Sequence, residues 1–171
     1  MLRVPLNLSY VKSTLRPLYA FAQATPASVF IDPAWDKSVD IYPGMVLMKT
    51  AGENVTLINA TGVPYGLAGF YMAPAYGIDQ VTEQGVNAAA AWVLGGPDAQ
   101  FEVLAPAFDT TATWTEPGDG TLPLVYAQTA GANRGKLVPV GTSGASSRPV
   151  ARLLKVESTT SIIIGGLGGT V

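Results

Sequence analysis

Short apolar runs, mostly alternating with polar residues and cut by Gly, Pro, Asn and Asp, recur along the chain. In the first segment, Leu2, Val4, Leu6 and Leu8 alternate with Arg3, Pro5, Asn7 and Ser9, a period of two. Pro5 confines any strand there to an edge or an added strand, because proline has no N–H for a ladder. From Val11 to Gln23, Leu15, Leu18, Tyr19 and Ala22 give a weak helical spacing that Pro17 breaks. Residues 1–27 therefore read as an extended N-terminal arm with little to bury against locally. A strand of the main fold is the competing reading.

Residues 28–171 read as a single β domain. The expected strands in its first half are Val29–Ile31, Val39–Tyr42, Met45–Met48, Val55–Ile58, Phe70–Met72, Asn87–Leu94 (for which a helix turn is the competing reading) and Phe101–Leu104. Pro43-Gly44, the Ala51–Asn54 turn, Asn59–Gly62 and Gly95-Gly96-Pro97 punctuate them. In the second half, Thr110–Thr115, Leu122–Gln128, Lys136–Val140, Val150–Glu157 and Ser161–Ile164 follow. No segment has the long, capped period of a βαβ helix. The expected class is mainly β, a small barrel or sandwich with little helix.

Composition changes the picture in two ways. Apolar residues make up 48 % and charged residues only 13 %, against about 25 % charged in an average soluble domain. Lipid or other subunits would cover such a surface, unless the chain is a plain β domain with a polar but uncharged exterior. The longest apolar runs fall far short of the about 20 residues that a spanning helix needs, and Pro5, Asn7, Ser9 and Lys12 interrupt any leader-like opening. The expectation is a protein made in the cytoplasm, with no membrane partner and with much of its surface spent on neighbours. Cysteine and histidine are both absent. That removes disulfides, thiolate–imidazole zinc sites and every histidine-based triad or general base.

Charge is divided along the chain. No Lys or Arg occurs between Thr50 and Asn133, whereas Glu53, Asp79, Glu83, Asp98, Glu102, Asp109, Glu116 and Asp119 do. The flanks carry net positive charge. An acidic middle between basic ends suits attraction to another copy, or simple pairing within one fold. No basic cluster is interleaved with aromatics, so nucleic acid is not an expected partner.

Apparent catalytic motifs fail on spacing or context. Gly131-Ala132-Asn133-Arg134-Gly135-Lys136 is one residue short of a phosphate loop, and Leu137 stands where Ser or Thr would hold magnesium. Gly165–Gly169 lacks a following helix for a pyrophosphate. Ser9-Tyr10-Val11-Lys12 has a serine–lysine spacing but lies in the proline-studded arm. Asp32, Asp36 and Asp40 suit turns better than one helix face, because Pro33 intervenes. No catalytic residue, metal ligand or cofactor site is expected. A hydrolase using carboxylates alone would need a convergent acidic pair, and none stands out.

Resemblance adds a family. Tyr42-Pro43-Gly44-Met45-Val46-Leu47, Val63-Pro64-Tyr65-Gly66-Leu67, Ala73-Pro74-Ala75-Tyr76-Gly77-Ile78-Asp79, Trp92-Val93-Leu94-Gly95-Gly96-Pro97-Asp98 and Phe101-Glu102-Val103-Leu104-Ala105-Pro106 are similar to head decoration proteins of tailed bacteriophages, particularly those of actinobacterial hosts. The resemblance implies a structural, non-enzymatic β protein, often a homotrimer. It implies binding to the major capsid protein on the outer surface of an HK97-type capsid, and stabilisation of that shell. The β-tulip of lambda-like decoration proteins is one topology it suggests, although the arm and the C-terminal strands exceed that smaller type. A tail-tube or spike subunit and a glycan-binding β module are the alternatives. Contact residues would come from the arm, namely Leu2, Val4, Leu6, Leu8, Tyr10, Leu15, Leu18, Tyr19 and Phe21. Trp35, Tyr42 and Trp114 are candidate aromatic anchors, each also suited to a core.

Overall fold

The computed structural model describes residues 14–19, 24–52, 54–72, 88–96 and 98–167. Eleven strands run through them: β1 Leu15–Tyr19, β2 Ala24–Ile31, β3 Val46–Lys49, β4 Asn54–Leu57, β5 Gly66–Ala68, β6 Ala88–Leu94, β7 Gln100–Leu104, β8 Leu124–Ala127, β9 Leu137–Pro139, β10 Ala151–Ser158 and β11 Ser161–Gly165. The helical content among the described residues is one 3-10 turn at Gly131–Asn133. The mainly β class expected from the sequence holds.

Strands β2-β4-β3-β5-β6 close into a barrel, and β1-β7-β11-β10-β8-β9 form an open six-stranded sheet. All pairings are antiparallel except β2 with β4. Alternation explains the sheet: Phe101 and Val103 of β7, Val125 and Ala127 of β8, and Ala151 and Leu153 of β10 all point inward. A five-stranded barrel has room for side chains only, and small residues fit its narrow interior. Ala68 and Ala91, cross-strand partners, are fully buried, as are Leu47, Val55, Leu57 and Leu67 of the same sheet. At Gly66 a Cβ would sit 2.7 Å from the Trp92 carbonyl oxygen, so the β5–β6 approach requires glycine. The alanine-rich run 88–94 is thus a strand, as expected, in register with β2 over seven positions.

One buried cluster draws on both sheets, and specific contacts fasten the barrel to the open sheet. Val46 N–H donates to the Gly135 carbonyl at 2.7 Å. Arg134, on the turn before β9, reaches across to the end of β4. Its Nε donates to the Ile58 carbonyl at 2.8 Å, and its Nη2 donates to the Leu57 carbonyl at 2.6 Å.

Three local expectations change. The weak helical spacing of Val11–Gln23 gives way to strand, with Leu15–Tyr19 pairing with β7 and Pro17 opposite Phe101. Proline is tolerated in this strand because β1 is an outer strand of the sheet order. Of the segment expected as an arm, 15–19 and 24–27 are strand residues, while 1–13 and 20–23 lie outside the described residues. Val39–Tyr42 contributes only a single bridge, Ile41 with Met72. The loop before it consists of Asx turns: Asp32 Oδ1 accepts from Ala34 N–H, and Asp36 Oδ1 accepts from Ser38 N–H. Thr110–Thr115 is loop as well, because Asp109 captures both the Thr111 N–H and its hydroxyl. Such local bonds compete with a ladder.

Candidate contact surface

The described carboxylates with mapped bonds are committed to local structure. Asp32 accepts from Ala34 N–H and the Thr50 hydroxyl. Asp40 accepts from the phenols of Tyr42 and Tyr71. Glu102 pairs with Arg16 and accepts from Ser161, and Glu116 accepts from Val156 N–H at 2.7 Å. What the surface offers instead is apolar side chains. Leu18, Phe30, Val63, Leu122 and Val140 are large hydrophobic residues left exposed.

One of these five lines a cleft, and a second directly precedes a residue that does. Val140 is 60 % exposed and lines a shallow cleft of about 80 Å³ with Trp114, Pro123, Pro139 and Leu153. Leu122, 39 % exposed, directly precedes Pro123. The cleft sits where β8 begins and β9 ends. Those two edges adjoin because Val125 pairs with Pro139. Strand termini at prolines leave the flanking apolar residue outside the ladder, which explains the exposure of both Leu122 and Val140.

Trp114 is held rigidly on this face. Its indole N–H donates to the Asp109 carbonyl at 2.8 Å, and its ring meets Phe108 edge-on with centroids 5.6 Å apart. Asp109 Oδ2 accepts from Asn133 Nδ2, and Lys136 Nζ donates to Asn133 Oδ1 at 2.9 Å. Burial works to raise the Asp109 pKa, yet the hydrogen bonds from Thr111 and the charge of Lys136 outweigh it and hold the carboxyl below its usual 3.8. The loop is braced at its far end by the bond between Glu116 and Val156. A braced tryptophan flanked by prolines loses little conformational freedom when another surface covers it. Centrally placed tryptophan is the residue type that most often dominates a protein interface. The arrangement is suited to binding a macromolecular surface rather than to bond-breaking.

A family model described as phage cement protein matches residues 1–167. The chain belongs to the phage cement protein family. Cement proteins are structural and non-enzymatic; they decorate the capsid and are located on it in the virion. No curated protein and no solved structure matches the chain.

The contact residues expected from the sequence of this cement protein fall in different places. Trp114 lies in the cleft just described. Trp35 is buried in the core, and its indole N–H has no hydrogen-bond partner among the described residues. Tyr42 is half-buried, 5.1 Å from the Tyr71 ring. Burial first, and then the neighbouring Asp40 charge, raises the Tyr42 pKa above its usual 10.0. Leu15 is a core residue, packed near Gly44, and Leu18 is exposed on β1. Tyr19 ends β1, with its side chain outside the described residues, as are Leu2, Val4, Leu6, Leu8, Tyr10 and Phe21. Sequence reasoning missed Leu122 and Val140 because it placed both inside strands. The available signal was the paired prolines, Leu122-Pro123 and Pro139-Val140.

Proposed function

We propose that this cement protein binds the outer surface of an HK97-type capsid through the Trp114 face, as a homotrimer, and strengthens the shell mechanically. The observation that carries the reading is the braced Trp114 cleft with Leu122 and Val140 exposed beside it. Residues 42–106, similar to decoration proteins of phages with actinobacterial hosts, support the capsid type and the host group. The alternating apolar segment Leu2–Leu8 is a second contact element in this reading.

Cementing is a matter of interface area. A shell under pressure from packaged DNA fails where subunits part. A protein seated across a seam adds interface that must be broken first. A standard specific interface buries about 1,600 Å² in total. Many copies engage one particle, and an oligomer engages it at several points, so modest affinity per contact is enough.

The test is co-sedimentation of the purified protein with undecorated capsids. Wild type binds to a fixed ratio per capsid subunit. Val140→Asp and Leu122→Asp each weaken binding about tenfold or more, as expected for burying a charge where a Val or Leu gained about 1.5–3 kcal/mol. Removal of residues 1–13 weakens it further. Unchanged binding by both aspartate variants assigns the contact to another face and overturns this reading.

A further inference from the structure

The open sheet has two outer strands, β1 and β9, whereas the barrel closes on itself. An outer strand offers unpaired N–H and C=O groups to any other strand, and charged side chains are a common guard against such pairing. This chain has little charge to use, since only 13 % of its residues are charged. Strand β9, Leu-Val-Pro, carries none, and the one charged residue of β1, Arg16, is paired with Glu102 at 3.2 Å. Each edge also carries an exposed apolar side chain directly after a proline: Leu18, 45 % exposed, follows Pro17, and Val140, 60 % exposed, follows Pro139.

The hydrogen-bond register shows how the edges are closed. Backbone groups alternate in direction along an antiparallel strand, so one known bond fixes its neighbours. On β9, Leu137 faces away from β8. Its N–H donates to the Ala107 carbonyl at 3.1 Å, and its carbonyl accepts from Asp109 N–H at 2.9 Å. Val138, opposite Tyr126, then faces β8, and Pro139 faces out. Proline has no N–H to offer there, and its carbonyl already accepts from the Thr142 hydroxyl at 2.8 Å. On β1, the Thr14 carbonyl accepts from Leu104 N–H at 2.8 Å and so faces β7. Arg16 faces β7 by alternation, and Pro17 faces out. The other side of the pair agrees. Ala99 turns its carbonyl toward the β11 side, where Gly166 N–H donates to it at 3.2 Å, so Phe101, opposite Pro17, also turns away from β1. Both edges of one sheet therefore place a proline at an outward position.

We infer that Pro17 and Pro139 seal the open sheet against strand pairing with a second copy, so that copies do not join edge to edge into an extended sheet. The seal acts on backbone pairing alone. Association through side-chain faces, the Trp114 cleft among them, is untouched by it, and the inference stands or falls independently of capsid binding.

The test uses full-length Pro17→Thr, Pro139→Thr and the double variant, which restore an outward N–H with a β-prone residue. Pro117→Thr, in the loop before β8, is the control. Light scattering over a dilution series reports size, and amide hydrogen exchange reports protection. Each edge variant should form assemblies larger than the wild-type species at concentrations about tenfold or more below those needed by wild type or the control, and the double variant should grow largest. In those assemblies the amide introduced at position 17 or 139 should exchange slowly, with the barrel amides as protected as in wild type. Folded edge variants that stay the size of wild type would overturn the inference. So would equal growth of Pro117→Thr, which would make the effect one of any proline loss. Growth or loss of fold accompanied by unprotected barrel amides would show that the prolines serve folding and not the edges, and would overturn it as well. Growth of one single variant without the other would strike the silent edge from the inference.

Discussion

Replacing Arg134 by methionine keeps the aliphatic stem but removes the guanidinium that joins the open sheet to the barrel. The side chain is only 16 % exposed, and its Nε and Nη2 cap the carbonyls of Ile58 and Leu57, two buried residues at the end of β4. A hydrogen bond to a charged group contributes about 1.5–3 kcal/mol, and a buried carbonyl left without its donor costs a similar amount. Because the Met stem retains some packing, the expected loss is about 3–5 kcal/mol. The third contact, Nη1 to Asp36 Oδ2 at 3.3 Å, involves a carboxylate 39 % exposed, and such a pair contributes about 1 kcal/mol at most. Asp36→Asn should therefore cost about 1 kcal/mol or less. Urea unfolding at fixed protein concentration measures both. For a chain of this length each kcal/mol lowers Tm by about 2–4 °C, so Arg134→Met should melt roughly 6–20 °C below wild type. A loss below about 1 kcal/mol for Arg134→Met would refute the reasoning. So would equal losses for the two variants, because the ion pair and not the carbonyl caps would then hold the junction.

Three further outcomes are expected. Gly135→Ala destabilises by about 1–3 kcal/mol, because φ is +84° and a Cβ would lie 2.5 Å from Leu57 Cδ2 and 3.1 Å from Met45 Cε; an unchanged melting curve would contradict this. Stability falls in acid: hydrogen bonds from Ser38 hold the Asp36 pKa below 3.8, and those from Thr111, with Lys136, outweigh burial at Asp109. With folded pKa values depressed, both contributions are complete above pH 3.8 and disappear as pH falls through the lower folded values, so a melting temperature that rises on acidification below 3.8 would exclude them. Val140→Asp leaves Tm within about 2 °C of wild type, because the side chain is already mostly in water, while capsid binding falls; a parallel loss of both would show that it acts through folding.

Much of the fold was legible in local patterns. Alternation located β7 and β10, a short β-branched run located β11, and Gly and Pro set most boundaries, with Gly44 and Gly52 at positive φ in the turns around β3. The pattern did not reveal where polar side chains satisfy the backbone locally. Asp109 turned an expected strand into a loop, and the Asp32 and Asp36 turns reduced Val39–Tyr42 to one bridge. Nor did it show partners distant in sequence. Pairing with β7, some 85 residues away, decided that Leu15–Tyr19 is strand and not helix. The proposed contact surface was half legible. Trp114 stood out by residue type, whereas the exposure of Leu122 and Val140 depends on how β8 and β9 end beside one another. Trp35 suited an anchor or a core by its type, and it lies in the core; residue type alone does not separate the two roles.

Capsid strength is the property at stake, and heat release of packaged DNA measures it directly. Filled particles lacking the protein are warmed with wild type, with the Leu122→Asp/Val140→Asp double variant, or with buffer, while a DNA-binding dye reports escape. Wild type should raise the release temperature in a saturable way, and the double variant should behave as buffer does. Release at the same temperature in all three samples, with wild type shown to be bound, would contradict cementing.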